Sequence, residues 1–393
     1  MSVNSELFEN WIRTSFVEMN TELENLYFAQ EMRENAEGVG DGIKKQIHDE
    51  GHDFIVRLQQ EGNTDEGFDN AFDLLGDLGL YLASLRRHEL TNPVREEKSP
   101  FKEASALGLH IAASIGMAPR FATAHLATRN RAKNGVQKSF TTLKDEFLFL
   151  DYNTRGIFSF MRAADALKRI LPLGVSHPVT HTLLEVAAAA LEDVIKYNQV
   201  LFEELDVDRF FYSVRPYYKP YRVGRQEYRG ANAGDFSGIN EIDLLLGLCH
   251  ANDPYYAQLL VDKMLFMTPG DQASLRDCMR QRSLLGQFLD EAQQGSKEPW
   301  FSKNAKAFLH VCRLHGETAS QHHDQLVSAF IEKPSTQLSS EKLSQVTASG
   351  PPLPVLLRSL EILRDMRLAA DRGDIRTSHK DILALNRHID LQA

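Results

Sequence analysis

Residues 209–247 read RFFYSVRPYYKPYRVGRQEYRGANAGDFSGINEIDLLLG. The stretch opens on two aromatics and an arginine, Phe210, Phe211 and Arg215. A Tyr-rich, basic connector leads to a turn of small residues, Gly230-Ala231-Asn232-Ala233-Gly234. An apolar, helix-like run follows around Leu244, Leu245 and Leu246. A stiff aromatic wall, a fixed positive charge and a turn free of bulky side chains suit an aromatic carboxylate ligand. Taken alone, such a stretch is more often a helix end followed by a surface loop. Both readings stay open at this point.

On either side the chain is punctuated as helices. Residues 147–171 and 181–205 carry apolar positions at helical spacing, and Asn153-Thr154 is placed to cap the first of these runs. Residues 68–88 repeat Phe68, Phe72, Leu75, Leu78, Leu82 and Leu85, with Gly76 and Gly79 inside the run as weakening residues. Residues 120–127 are rich in small side chains, and Pro269-Gly270 breaks a helical pair over 253–293. From Trp300 the stripe Phe308, Cys312, His315, Ala319, then His322 or His323, Leu326 and Phe330 keeps steps of three and four, so a histidine lies on a buried face. Strand alternation is nearly absent. The expected fold is all-α, a multi-helix bundle. It has a helical domain over 66–393 and, because hydrophobic density is modest in 1–65, a loosely attached N-terminal helical arm.

Composition narrows the function. The 393 residues carry a net charge of −10 without a strongly basic block, which argues against a nucleic-acid groove. No apolar run reaches 18 residues and the start, MSVNSELFENWIRTSF, is acidic and amphipathic. No membrane span or leader is therefore expected, and a cytoplasmic location is. Cys249, Cys278 and Cys312 are too few and too scattered for a disulfide framework or a zinc site. Zincin, P-loop, dinucleotide-binding and nucleophile-elbow patterns are missing. A helical enzyme without them borrows its reactivity from a cofactor, and haem is what a helical bundle with a lone buried histidine can hold. His323 is in step with Leu326, Val327, Phe330 and Ile331, and His322 is one residue off that face. Two ordinary helix histidines are the commoner explanation of the same residues.

The residues also carry a resemblance. Phe210-Phe211, Arg215, the Gly230–Gly234 turn and Asp243 before Leu-Leu-Leu-Gly resemble the indoleamine 2,3-dioxygenase and tryptophan 2,3-dioxygenase superfamily of haem proteins. The connector from Arg215 to Gly224 and the helix LYLASLRRH, residues 80–88, are most similar to its monodechloroaminopyrrolnitrin synthase branch. The resemblance spans roughly residues 70–370. It implies a helical bundle with haem b between helices and O2 as co-substrate at a histidine-ligated iron. It implies oxygen insertion into an indole or related aromatic amino acid, and association as a homo-oligomer. By the family pattern His-x-x-(Leu/Ile)-Val, His323 is the iron ligand and His322 the second choice. Arg215 takes the substrate carboxylate, and Phe210 and Phe211 wall the ring. Asp243 orients the ligand imidazole, and Gly230, Ala233 and Gly234 lie against the cofactor. Phe158 and Met161 form the distal wall, and Thr123, Leu126 and Ala127 line the pocket. Met161 stands where the dioxygenases carry serine, and Ala348-Ser349-Gly350-Pro351-Pro352 replaces their Gly-Thr-Gly-Gly loop. Ser320 replaces an arginine that pairs with a haem propionate, a role left to Arg222, Arg225 or Arg229. The rewritten loop favours an aromatic hydroxylase or ring-rearranging synthase on the same scaffold. The acidic arm favours a haem- or aromatic-binding protein without turnover.

Overall fold

The computed structural model describes residues 2–62, 66–295, 298–325 and 353–392. The Leu326-Val327 part of the ligand pattern, the stripe residues Phe330 and Ile331, and the 348–352 loop lie outside these residues. The described chain is helical apart from one hairpin, β1 (Tyr221–Val223) with β2 (Gln226–Tyr228). That hairpin is the second half of the Tyr-rich connector. Among the described residues no helix is long and apolar enough to cross a membrane.

The side chains sort into two cores. The first is built by α1 (Val3–Arg13), α2 (Ser15–Phe28), α3 (Asp41–Glu61), α4 (Phe68–Arg87), α5 (Lys102–Ile115) and the segment through α6 (Thr123–Leu126). The second is built by α10 (Ser237–Leu246), α11 (Pro254–Met264), α12 (Pro269–Arg280), α13 (Leu284–Gln293), α14 (Phe301–Gln321), α15 (Leu353–Arg367) and α16 (His379–Gln392). Two long antiparallel helices, α7 (Lys144–Ile170) and α8 (Pro178–Glu204), belong to both. Leu150 and Leu201 lie in the first core; Ala163, Leu167, Leu184 and Leu191 lie in the second. Each has 27 residues, about 40 Å of helix, long enough to span both. A third, small apolar group of Ala127, Ile157 and Phe236 sits apart from both cores, with Phe160 and Ile239 against it.

Local chemistry explains the punctuation. Proline breaks are helix starts: Pro254 follows the capping Asp253, and Pro269 follows the capping Thr268. Asn153 and Thr154, expected to begin a helix, instead lie in the middle of α7. Their side chains donate back to the Phe149 and Leu150 carbonyls, each at 2.6 Å, a local bond that leaves the helix continuous. The glycines of α4 exist for close approach. A Cβ on Gly79 would stand 2.2 Å from the Phe121 amide nitrogen, and one on Gly76 2.5 Å from the His125 ring. Without them the 121–127 segment could not press onto α4 and reach the 230–234 turn.

The loosely attached arm is corrected by this packing. Phe8, Trp11, Ile12 and Phe16 are buried in the first core. Trp11 lies 5.7 Å from the Phe54 ring and donates to Glu50 at 2.6 Å. Glu9, on α1, accepts from Arg13 at 2.8 Å and Lys133 at 3.2 Å. Lys138 lies 3.6 Å from Glu9 and 2.7 Å from Asp77 of α4. Modest hydrophobic density along α1 is concentrated on one face, and that face has a partner.

Candidate functional site at the seam of the two cores

The 230–234 turn is held from three sides. Asp235 accepts both guanidinium nitrogens of Arg229, at 2.9 and 2.8 Å, and the Asn232 amide at 3.0 Å. The Thr123 hydroxyl donates to the Asn232 carbonyl at 2.5 Å, and Lys263 Nζ donates to the Gly234 carbonyl at 3.0 Å. Gly230 is buried, whereas Ala233 and Gly234 keep part of their surface open. Thr123 thus acts on the turn, and Ala127 joins the seam group. Leu126 is turned into the first core, which corrects its expected place in the pocket.

Across from the turn, α7 offers an inward gap. Gly156 is buried, yet a Cβ built on it would meet nothing within 4 Å. One to two turns above it Phe149 lies 5.0 Å from Phe210; one turn below it Phe160 lies 5.8 Å from Phe236. Phe158 is corrected in the same way as Leu126. It is 51% exposed, on the stripe that carries Asp151, Arg155, Arg162 and Asp165, so it points away from this gap. Met161 is 40% exposed on the flank of α7, and only its backbone approaches Gly238.

Phe210 and Phe211 begin a π-helical turn (Phe210–Val214) that follows α9 (Val207–Arg209), capped by Asp206. Arg215 then opens a 3-10 turn (Arg215–Tyr218), its guanidinium 5.4 Å from the Phe211 ring. Among the described residues the Arg215 side chain makes no hydrogen bond or ion pair, and burial pushes its pKa down to about 10. A guanidinium that is enclosed, partly accessible and unpaired is set to receive an anion.

At the base of the seam lies a charged network that the sequence did not reveal. Asp243 receives Arg367 Nε and Nη2, each at 2.8 Å, His315 Nε2 at 2.7 Å and the Tyr256 hydroxyl at 2.7 Å. Asn240 donates to that hydroxyl at 3.0 Å, and Lys263 reaches Asn240 at 3.3 Å. Burial alone would raise the Asp243 pKa; Arg367 and the His315 bond outweigh it and hold the carboxyl well below its usual range. This corrects the role expected of Asp243. Its imidazole partner is His315, eight residues before His323, and its acceptor capacity is filled. His315 donates through Nε2, which leaves a bare Nδ1 with no partner, edge-on to Phe160 at 6.4 Å.

His322 and His323 follow α14 in a π-helical turn. The His322 ring is accessible but crowded: burial, then Arg367, His323 and Lys263, push its pKa down to about 4. It is a neutral imidazole near pH 7. His323 Nδ1 lies 3.1 Å from Asp324 and 3.4 Å from Arg364, and its Nε2 makes no hydrogen bond among the described residues. One ring nitrogen oriented by a carboxylate and the other left free is the arrangement of metal-binding histidines. The residues therefore fit a haem. Two of the three arginines expected at its propionates are otherwise occupied. Arg229 is paired with Asp235, Arg222 donates to the Pro93 carbonyl at 3.0 Å, and Arg225 is exposed in the hairpin turn. Two clefts open elsewhere, one at Glu18, Asn25 and Thr142, the other at His250, Arg282 and Arg376. Neither includes Arg215, His322 or His323.

Helical apart from one hairpin among the described residues, the chain has the fold class of the indoleamine 2,3-dioxygenase-like haem superfamily. Within it, the family model of monodechloroaminopyrrolnitrin synthase PrnB matches residues 2–389. The chain belongs to that family, which is one of haem-dependent oxidative enzymes acting on a tryptophan-derived small aromatic substrate.

Proposed function

We propose that this chain is a haem b oxygenase that uses O2 to act on an indole-bearing amino acid or a close relative of one. The enclosed, unpaired Arg215 beside Phe211 carries the reading, since it marks where a carboxylate and an aromatic ring bind together. When bound, haem supplies the oxidising chemistry. The chain's own groups position: Arg215 holds the carboxylate by a paired hydrogen bond, and Phe210 and Phe211 limit how the ring lies. The turn at Gly230, Ala233 and Gly234, braced by Asp235, Thr123 and Lys263, keeps bulky side chains from the seam. His323 is the proposed iron ligand because Asp324 orients its ring and leaves Nε2 free; neutral His322 is the alternative. The family's own description as a synthase favours a rearranged ring over simple ring opening.

Purified protein supplied with haemin should show a Soret band. The band should disappear in His323→Ala and persist in His322→Ala. The reverse pattern transfers the ligand role to His322, and a preparation that takes up no haemin ends the haem reading. Mass spectrometry of turnover with reductant, O2 and L-tryptophan or a halogenated analogue should show a product with the same ring atoms rearranged or oxygenated. Untouched substrate across that series would refute the indole assignment.

A further inference from the structure

Positive charge gathers beyond Phe211. Arg215 opens the 3-10 turn, and Lys219 follows its last residue, four positions on. α4 packs against this turn and brings Arg86 and Arg87 with its own last turn. Arg87 is neutralised by Glu24, which it grips with two bonds of 2.7 and 2.8 Å. The other three cations have one acid, Glu89, between them. Arg86 reaches Glu89 at only 3.4 Å, and its Nε is buried with no partner. Neither the Arg215 nor the Lys219 side chain makes a hydrogen bond or ion pair among the described residues. Glu89 is the acid that faces Lys219, against Arg86, Arg215 and Arg87. Burial first, then those arginines, push the Lys219 amine down to about 7. Like charges in one enclosed place are unfavourable until an anion joins them.

We propose that Lys219 and Arg86 complete, together with Arg215, the seat for the carboxylate of the aromatic amino-acid ligand. The inference rests on the carboxylate reading of Arg215 and adds two residues to it. The Lys219 ammonium is present when the carboxylate is bound, because the ligand's charge stabilises it. Binding therefore takes up a proton wherever free Lys219 is neutral, and affinity falls as pH rises above about 7.

Titration calorimetry on the full chain tests this with L-tryptophan, indole-3-propionate and tryptamine. K219M should weaken the two carboxylates by roughly tenfold or more and leave tryptamine unchanged. In the unaltered protein, indole-3-propionate should weaken between pH 7 and 8.5 by up to roughly tenfold per unit. K219M should lose that slope, and K219R should bind tightly without it. Because K219M removes a charge from an enclosed site, its melting temperature should not fall; if it does, the K219R pH profile decides alone. K219M binding within twofold of the unaltered protein, or an unchanged slope in K219R, overturns the proposal. R215M abolishing the carboxylate preference while K219M keeps it would leave the Arg215 reading standing without Lys219. Both variants keeping the preference would remove both.

Discussion

Replacing Asp243 by asparagine isolates the charge that ties α10, α11, α14 and α15 together. Asp243 has no exposed side-chain surface, and its partner Arg367 has 8%. At charge separations near 4 Å and an effective dielectric of about 20, the attraction is about 4 kcal/mol. Asparagine keeps the shape but loses that attraction, and its amide presents donors to Arg367 or His315, which are donors themselves. Removing one member of a buried pair costs about 3–5 kcal/mol, chiefly by leaving the other charge uncompensated. Against total stabilities of roughly 5–15 kcal/mol, D243N should be marginal. Urea unfolding followed by circular dichroism should show its midpoint fall with little change in slope. The double variant D243L/R367M removes both charges and should regain at least half of the loss. The carboxyl's folded pKa lies below its unfolded value of about 3.9. Its contribution is therefore intact above about pH 4 and is lost as pH falls toward the folded value. D243N within about 1 kcal/mol of the parent, or a double variant no better than D243N, would refute the account of the network.

Gly156→Ala separates stability from binding. Alanine should leave α7 unchanged or up to about 1 kcal/mol more stable, since its methyl meets nothing. Haemin or ligand uptake should drop; unchanged uptake in titration would show that the gap is not the binding cleft. Trp11→Ala should cost about 3–5 kcal/mol in chemical unfolding, as for a core aromatic, whereas a loose arm would lose under about 0.5 kcal/mol. Burial pushes the Glu146 carboxyl up to about 7, above its unfolded value of about 4.3, despite bonds from Thr141 and the Phe140 and Thr141 amides. Its stability contribution is therefore greatest below about pH 4 and is lost as pH rises through 7. E146Q should flatten that part of the curve of midpoint against pH; an identical slope in E146Q would count against it.

Much of the architecture was legible. The helical periods around 147–171, 181–205 and 300–321 were sound because a helix buries a stripe that short-range spacing reports. The misreadings have specific causes. Asn153 and Thr154 look like a start signal, but the same side chains can bond back within a helix. Phe158 looks like a pocket wall because it is large and apolar, yet which side of α7 is inward depends on α8 and α10. The arm looks loose in sequence because its apolar face is completed by Tyr81, which comes from α4 and lies 6.3 Å from Trp11. Gly156, in the same distal-wall stretch, is the buried position there that leaves open space beside α7, which only the packing of neighbouring helices reveals.

By itself, the sequence determined the helical class, the breaks and caps, and the grouping of Phe210, Phe211 and Arg215, because these depend on residues within a few positions of one another. Tertiary structure alone decided which charges are neutralised and which are not. Asp243 could have served His322 or His323, but it is filled by His315, 72 residues later, and Arg367, 124 residues later. Arg87 found Glu24, whereas Arg215 and Lys219 found no carboxylate of their own. The energy of a buried charge is set by its desolvation and by the nearest opposite charge, and both are properties of long-range packing that no local pattern encodes.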